Sequence, residues 1–309
     1  MSLAFLFPGQ GAQAAGMLRA LPRHPAIVAT LAEANGELKC ATADLDSADA
    51  LSSTEGSQIA LFIAGVAGAR ALAAESVRPD FVAGMSVGAF AAAVVAGALD
   101  FPSALLLVRT RGRLMRAAYP TGHGMAAVVG LNEGTVGALV GAVSTPASPV
   151  YLANVNAPDQ MVISGADAAI AAVLATARKR GARRTQRLDV TVPSHTPLFR
   201  DAAAQLMKVA ATVAMKDASI PYLENRGARA ITDAEKIRAD LAGNLAVAVR
   251  WHDMVQGVLE RGVRVLVEMP PGATLTDLAK ASFPETCALA FERQDVPGLV
   301  RSIATNRAG

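Results

Sequence analysis

Aromatic residues and cysteines are scarce in this sequence, and each scarcity excludes a class of protein. Aromatic side chains make up 4% of the 309 residues, the net charge is only +3, and no stretch interleaves aromatic with basic residues. Nucleic-acid binding is therefore not expected. The two cysteines, Cys40 and Cys287, lie far apart and lack metal-ligand spacing. This arrangement favours idle thiols over a disulfide or a metal site.

Long hydrophobic runs are absent as well. Although 52% of the residues are hydrophobic, the longest apolar runs, such as 89–99, have about a dozen residues, against about 20 for a membrane span. The N-terminus has no basic region and its apolar run stops at Pro8, unlike a secretory signal. We expect a cytoplasmic protein without membrane contact, with one large core and room for a smaller inserted domain.

The order of predicted elements indicates an α/β fold with an insertion. Strands are predicted at 3–7 and about 80–84, and helices at 57–75, 87–97 and 101–120, the last with Ser103 as N-cap. Residues 124–192 give the order β-α-β-β-α-β, which is ferredoxin-like, with a last strand over 184–192. We predict a large domain formed by 1–123 and 193–309, and a small domain at 124–192.

The stretch GMSVG, residues 84–88, lies between a predicted strand and a predicted helix. G-x-S-x-G in that context is typical of a nucleophile elbow, a sharp turn that exposes the serine hydroxyl. Gly84 and Gly88 would allow the strand and helix to approach closely. The N–H of Val87, at the start of the helix, could stabilise an oxyanion. The alternative is that Ser86 is only a small residue in a tight turn.

A serine nucleophile needs a base, and the chain has four histidines. His24 and His123 are predicted in surface loops, and His252 at a helix start. His195 follows the last strand of the inserted domain, at a strand-to-helix junction that could bring it to the sheet edge near Ser86. We therefore favour His195 as the base. Asp189 is the nearest acid in sequence, but six extended residues would place it roughly 20 Å away.

Seven stretches together indicate a family. They are LFPGQGAQ (6–13), GMSVGAFAAAVVAGAL (84–99), RGRLM (111–115), ANVNAPDQMVISG (153–165), VPSH (192–195), NLAVAVRW (244–251) and EMPPGATLTDL (268–278). In this order and spacing the chain resembles the malonyl-CoA:acyl-carrier-protein transacylase family over nearly its whole length. Within that family it looks most like the malonyl-transferase (epsilon) subunit of bacterial malonate decarboxylase.

The resemblance implies an α/β-hydrolase-like large domain with an inserted ferredoxin-like domain, and it implies residue roles. Ser86 would attack the thioester, His195 would move the proton, and the N–H groups of Gln10 and Val87 would form the oxyanion hole. Arg111 would bind the malonyl carboxylate with two parallel N–H donors. The remaining substrate-binding residues implied are Met115, Asn156 and Asn244, with the backbone carbonyl of Asn244 also orienting His195.

The implied substrates are malonyl-CoA and the phosphopantetheine-type thiol of an acyl carrier protein, with the malonate decarboxylase carrier preferred and no permanently bound cofactor. Alternatives are a transacylase of fatty-acid or polyketide synthesis, a serine thioesterase, or a non-catalytic docking subunit. The last is conceivable because Met85 replaces the histidine that the family usually has before the nucleophile. The basic run 178–187 is either a solvated helix end or a contact for an acidic carrier or CoA phosphates.

Overall fold

Two β-sheets organise residues 1–308, the part of the chain that the computed structural model describes. A six-stranded sheet has the order β10-β9-β1-β2-β7-β8, and a four-stranded sheet has the order β4-β5-β3-β6. The strands are β1 (Ser2–Phe7), β2 (Phe81–Gly84), β3 (His123–Val129), β4 (Val150–Ala157), β5 (Gln160–Ala166), β6 (Arg184–Arg187), β7 (Tyr222–Leu223), β8 (Ala230–Ile231), β9 (Val263–Glu268) and β10 (Cys287–Ala290).

Helices cover both faces of the larger sheet. Within residues 1–308 they are α1 (Pro25–Leu38), α2 (Thr42–Leu45), α3 (Ala48–Ser52), α4 (Thr54–Ala74), α5 (Gly88–Val95), α6 (Phe101–Ala118), α7 (Glu133–Val143), α8 (Asp167–Lys179), α9 (Arg200–Ala210), α10 (Ala234–Gly243), α11 (Trp251–Glu260), α12 (Thr274–Ser282) and α13 (Val296–Ala308). This architecture confirms the predicted α/β class with a large and a small unit.

Strand β1 shows why the sheet is covered on both sides. Its side chains alternate between two cores: Phe5 and Phe7 pack with α4, α5 and α6, whereas Leu6 packs with α11 and α12. Successive residues of a strand point to opposite faces, so a run that is apolar throughout needs cover on both. The uninterrupted apolar run at the N-terminus therefore predicted a buried strand correctly, and the structure places it inside the sheet, between β9 and β2.

The strand directions gather the loops that form the site. β1 pairs in parallel with β2 and β9, and β2 pairs in parallel with β7. The carboxyl ends of these neighbouring strands therefore lie at one edge of the sheet, which is where α/β proteins place their ligands. The loops after β1, β2, β7 and β9 all begin at this edge.

The smaller sheet has the predicted ferredoxin-like order. β3 pairs antiparallel with β5 and β6, β4 pairs antiparallel with β5, and α7 and α8 pack on the sheet through a separate apolar core. Val155 N–H donates to the carbonyl of Val249 at 2.9 Å, and Val249 N–H donates to that of Ala153 at 2.9 Å, joining β4 to the segment before α11. The boundaries 124 and 192 remain our proposed domain limits.

Three local predictions are wrong. Helix α6 is capped by Asp100, whose Oδ1 accepts the N–H of Ser103 at 2.8 Å, so Ser103 is the capped residue and not the cap. His123 is the first residue of β3 and not part of a loop. The strand predicted over 184–192 stops at Arg187, and Val190 and Val192 lie outside the sheet, in the largest apolar core.

Helix α4 is the one helix of the described residues that is long and apolar enough, by length and composition, to cross a membrane. Of its most apolar window, 83% is buried within the protein. A core helix of a folded domain passes the same test, and α4 packs against β1, α5 and α6 as such a helix.

Candidate active site

Ser86 lies in a sharp turn between β2 and α5, with a positive φ of 57°. The N–H of Met85 donates to the carbonyl of Phe7 at 2.9 Å, and Gly88 N–H donates to the Met85 carbonyl at 3.0 Å. A Cβ on Gly84 would lie 2.2 Å from the Gly88 carbonyl, and one on Gly88 would lie 2.3 Å from the Phe7 carbonyl oxygen. Only glycine permits this approach, so the turn has the geometry of an elbow.

The sequence prediction missed a residue that holds this turn. Asn225 follows β7, the strand beside β2, and its Oδ1 accepts the N–H of Ser86 at 2.9 Å. Its Nδ2 donates to the carbonyl of Gly84 at 3.0 Å. The available signal was its place directly after a short apolar strand, at the carboxyl edge of the sheet. To infer from it that Asn225 lies beside Ser86, one must know that β7 pairs with β2, and the sequence alone does not provide the strand order.

His195 contacts Ser86 from the end of the segment that follows the small sheet. Its Nε2 lies 2.8 Å from Ser86 Oγ, and its Nδ1 lies 2.8 Å from the carbonyl oxygen of Asn244. A carbonyl only accepts, so Nδ1 carries the proton and Nε2 presents a lone pair to the serine hydroxyl. His195 also has a positive φ, 62°. Backbone strain of this kind clusters at functional sites.

The surroundings of His195 disfavour its charged form. Burial, followed by the positive charge of Arg111, lowers its pKa to about 4, while hydrogen bonds to the backbone of Asn244 and Val247 act in the opposite direction. At neutral pH the imidazole is therefore neutral, the state in which it can accept a proton. Asp189 lines the adjacent cavity, but the orienting partner of His195 Nδ1 is the Asn244 carbonyl.

Arg111 is fully buried beside the serine. One terminal nitrogen, Nη2, donates to Ser86 Oγ at 3.0 Å and to Asn244 Oδ1 at 3.4 Å, and Nη1 donates to Gln58 Oε1 at 2.7 Å. The side chain of Gln58, on α4, also donates to Met115 Sδ at 3.4 Å, one helical turn beyond Arg111. Gln58 is the second residue that the sequence prediction missed, because it lay inside a stretch interpreted only as an apolar core helix.

The charge of Arg111 has no carboxylate partner among residues 1–308. Its hydrogen bonds go to neutral oxygens, and its buried Nε has no partner within those residues. Burial lowers its pKa to about 9, which still leaves the guanidinium charged at neutral pH. Its neighbours Arg109 and Arg113 instead pair with Glu55 at the surface. A buried cation without a counter-ion is costly, and an anionic ligand would relieve that cost.

Gln10 lies in the loop after β1 and lines the same cavity as Ser86, and Val87 directly follows Ser86 at the start of α5. Within the described residues, neither backbone N–H donates to an acceptor. The Gln10 side chain is held by Gln58, which donates to its Oε1 at 3.0 Å, and by Ser57 Oγ, to which its Nε2 donates at 2.9 Å. Two free N–H donors beside a nucleophile can stabilise a developing oxyanion.

A cavity of about 460 Å³ opens onto Ser86 between the two sheets. Residues of the loops after β1 and β2, of β3–β6 and of α12 line it, among them Gln10, Met125, Asn154, Asn156 and Leu275. Asn156 Oδ1 is buried and has no hydrogen-bond partner in the described residues. Arg111, Met115 and Asn244, all predicted to bind substrate, are buried and do not line the cavity. Arg111 and Asn244 each contact Ser86, which does line it, and Met115 contacts Gln58.

A serine and a histidine in hydrogen-bond contact at this edge of the sheet are the arrangement found in enzymes that use a serine nucleophile, and comparisons with known proteins identify the family. The acyl transferase domain family matches residues 4–303. The chain is 34% identical over 305 residues to the malonyl CoA-acyl carrier protein transacylase of Bacillus subtilis, covering 94% of this chain and 96% of that protein.

Solved structures agree. The malonyl CoA-acyl carrier protein transacylase of Coxiella burnetii superposes with a TM-score of 0.94 at 33% identity, covering 99% of this chain and 98% of that one. A malonyl-transacylase in complex with a type II PKS acyl-carrier protein gives a TM-score of 0.88 at 33% identity, with 94% of both chains covered. The chain belongs to the malonyl-CoA:acyl-carrier-protein transacylase family and is an acyltransferase.

Proposed function

We propose that this protein transfers a malonyl group from malonyl-CoA to the thiol of an acyl carrier protein through a malonyl-Ser86 intermediate. The observation that carries the proposal is Arg111: a fully buried guanidinium, 3.0 Å from Ser86 Oγ, without a carboxylate partner in the described residues. A malonyl thioester carries a free carboxylate two bonds from its reacting carbonyl, so it can reach both groups together. The names of the relatives support the same substrate.

The first half-reaction loads the serine. His195 Nε2 takes the hydroxyl proton as Ser86 Oγ attacks the thioester carbonyl, and the carbonyl oxygen becomes an oxyanion stabilised by the N–H groups of Gln10 and Val87. The carbon–sulfur bond then breaks, and the imidazolium returns the proton to the thiolate of CoA. The products are free CoA and an ester of malonate with Ser86.

The second half-reaction reverses these steps with a different thiol. The phosphopantetheine thiol of the carrier gives its proton to His195 and attacks the ester carbonyl. The tetrahedral intermediate collapses, Ser86 leaves, and it recovers its proton from the imidazolium. The Asn244 carbonyl stabilises that imidazolium through Nδ1–H in both halves. We expect Asn156 Oδ1 to accept an amide N–H from the pantetheine portion, because the malonyl group has no N–H to donate.

The choice of carrier is the finer part of the proposal. The resemblance of the elbow to the malonate decarboxylase subunit favours that enzyme's carrier, whereas the relatives named above support the alternative, a transacylase serving fatty-acid or polyketide synthesis. We give the alternative precedence because those relatives match nearly the whole chain. Either reaction belongs in the cytoplasm and uses no permanently bound cofactor.

The basic run 178–187 bears on the carrier. Arg183 and Arg187 form ion pairs with Asp159 and Asp167, which reduces the charge free to attract an acidic partner. Arg187 also lines the cavity. We therefore keep a carrier or CoA contact for this run as a prediction, alongside a purely solvated helix end.

A comparison of two carriers in parallel reactions tests the function and the choice of carrier together. The protein is incubated with malonyl-CoA and either a fatty-acid-type carrier or the malonate decarboxylase carrier, both in the phosphopantetheine form, and malonyl-carrier and free malonate are measured. We expect malonyl-carrier to dominate, with faster loading of the fatty-acid-type carrier. Faster loading of the other carrier would reverse the precedence above, and release of malonate alone would indicate a thioesterase.

A further inference from the structure

A chain of buried polar groups lies beneath the elbow and links it to β7 and α10. Asp240, on α10, accepts the backbone N–H of Asn225 at 3.0 Å and the hydroxyl of Tyr222 at 2.5 Å, and its Oδ2 lies 3.4 Å from Asn225 Nδ2. All three residues are buried: Tyr222 and Asn225 are 0% exposed and Asp240 is 7% exposed. Asn225 in turn contacts Ser86 and Gly84.

The chemistry of these partners fixes the orientation of the Asn225 amide. The Gly84 carbonyl and the Asp240 carboxylate only accept hydrogen bonds, so the nitrogen of the amide must face them. The Ser86 N–H only donates, so the amide oxygen must face the serine. A flipped amide would oppose acceptor to acceptor on one side and donor to donor on the other. Asp240 therefore helps to fix which atom of Asn225 meets the nucleophile.

The bonds of Asn225 bracket the strained part of the turn. They reach the carbonyl of Gly84 and the N–H of Ser86, one on each side of Met85. Ser86 has a φ of 57°, a region that non-glycine residues occupy only where their surroundings hold them there. Because the Ser86 N–H is used by Asn225, the oxyanion donor from this turn is the next one, that of Val87.

We propose that Asn225 is a positioning residue for acyl transfer, holding Ser86 Oγ in line with His195 and Arg111, and that Asp240 maintains Asn225 in the required orientation. The proposal rests on Ser86 being the nucleophile of the proposed function. It adds a geometric requirement that neither His195 nor Arg111 meets, because both of these contact the Oγ atom, whereas Asn225 contacts the backbone that carries it.

The surroundings of Asp240 agree with an acceptor role. Burial raises the pKa of its carboxyl to about 6, while the hydrogen bonds from Tyr222 and Asn225 act in the opposite direction. The carboxylate thus prevails at neutral pH, in the form that can only accept. Perturbed carboxyls of this kind are more frequent at functional sites than elsewhere.

The test compares Asn225→Ala and Asp240→Asn with the natural protein in two reactions at Ser86. One is the maximal rate of adduct formation from malonyl-CoA, and the other is labelling by a fluorophosphonate, a serine-reactive probe that needs no Arg111. We expect Asn225→Ala to slow both on the order of 100-fold, as small misplacements of reacting groups do. For Asp240→Asn we expect both rates to fall about tenfold. The concentration of malonyl-CoA that gives half the maximal rate should change little.

Thr30→Val is the matched control, because Thr30, on α1, is fully buried and accepts a hydrogen bond from Arg70. Arg70 lies on α4, at the opposite end of that helix from Gln58. It should lower the unfolding midpoint and leave both rates unchanged. The proposal is overturned if folded Asn225→Ala keeps both rates within about threefold, or if Thr30→Val slows them equally. Should Asn225→Ala not fold, an unchanged rate in Asp240→Asn overturns it. Probe labelling without a malonyl adduct would instead reject the proposed function.

Discussion

Arg111 is the residue that distinguishes this site from that of a general esterase. A serine, a histidine and two N–H donors suffice to cleave many esters and thioesters. In the proposed function, the buried guanidinium adds a requirement for negative charge at a fixed distance from the attacked carbonyl, because no carboxylate of residues 1–308 pairs with it. Substrate choice in our account therefore depends on this one side chain and on Gln58, which holds it.

Replacing Arg111 with alanine should separate malonyl from acetyl transfer. Truncating one partner of a buried charge pair commonly costs about 2–5 kcal/mol, so we expect kcat/KM for malonyl-CoA to fall on the order of 100-fold or more. Acetyl-CoA has no carboxylate to lose, so its transfer should be spared or improved. The measurement is adduct formation from each thioester over a range of concentrations.

Arg113→Ala is the control for this substitution, since Arg113 lies on the same helix but pairs with Glu55 at the surface. It should leave both thioesters within about twofold of the natural protein, as exposed ion pairs contribute little. Equal losses of malonyl and acetyl transfer in Arg111→Ala would show that the arginine supports the serine and not the substrate.

The pH dependence should follow the environment of His195. Because burial and Arg111 lower its pKa to about 4, the neutral, proton-accepting form persists well below the usual range. We expect kcat/KM for malonyl-CoA to stay level from about pH 7 to about pH 5 and to fall only as the pH nears 4. Circular dichroism at each pH would separate this loss from unfolding.

The same substitution of Arg111 provides a second check. Its charge is one cause of the low pKa of His195, so removing it should move the acid limb for acetyl-CoA to higher pH. A break near pH 6.5 in the natural protein would mean that His195 is as accessible to water as a free imidazole, contrary to the buried pair described here.

Among the elements, β2 and α5 determine the position of Ser86 because they meet at two glycines. The space at Gly84 is occupied by the backbone of Gly88, and the space at Gly88 by the carbonyl of Phe7 on β1. Backbone atoms cannot move aside as a flexible side chain can. The turn is therefore built into the contact between strand and helix.

Gly84→Ala should strongly destabilise the protein. Its Cβ would lie 2.2 Å from the Gly88 backbone, and overpacking of this kind costs about 1–3 kcal/mol and occasionally more. We expect a loss of at least about 3 kcal/mol in the free energy of unfolding, seen as a lower denaturation midpoint or an insoluble product. The matched change is Gly141→Ala on α7, where nothing lies within 4 Å of the added Cβ.

Gly141→Ala should be neutral or raise the free energy of unfolding by about 0.5–1 kcal/mol, since it replaces glycine by alanine in an exposed helix. A soluble Gly84→Ala variant with a midpoint close to that of Gly141→Ala would contradict the close strand–helix contact.

Element by element, the sequence predicted most of the fold because each element has its own periodicity. β1, α4 and the β-α-β-β-α-β order of the small sheet follow from runs of apolar residues and their breaks. The errors occurred where tertiary packing decides. Val190 and Val192 belong to a stretch that alternates apolar and polar residues as a strand does. Both pack in the largest apolar core instead, and β6 ends at Arg187.

For the whole molecule, the limit of sequence reasoning was the order of the strands. Ser86, His195 and Arg111 stood in recognisable motifs, and the structure places Ser86 Oγ within hydrogen-bond distance of both His195 and Arg111. Asn225 and Gln58 stood in none. Asn225 reaches Ser86 only because β7 pairs with β2, and Gln58 reaches Arg111 only because α4 packs on α6.

The most direct test of the central claim is peptide mapping of the protein after brief exposure to malonyl-CoA, followed by a chase with carrier protein. We predict a malonyl ester on Ser86 and on no other residue, absent in Ser86→Ala, which disappears as malonyl-carrier forms. An adduct elsewhere, an adduct that persists in Ser86→Ala, or malonyl-carrier formed by that variant at the natural rate would contradict the account.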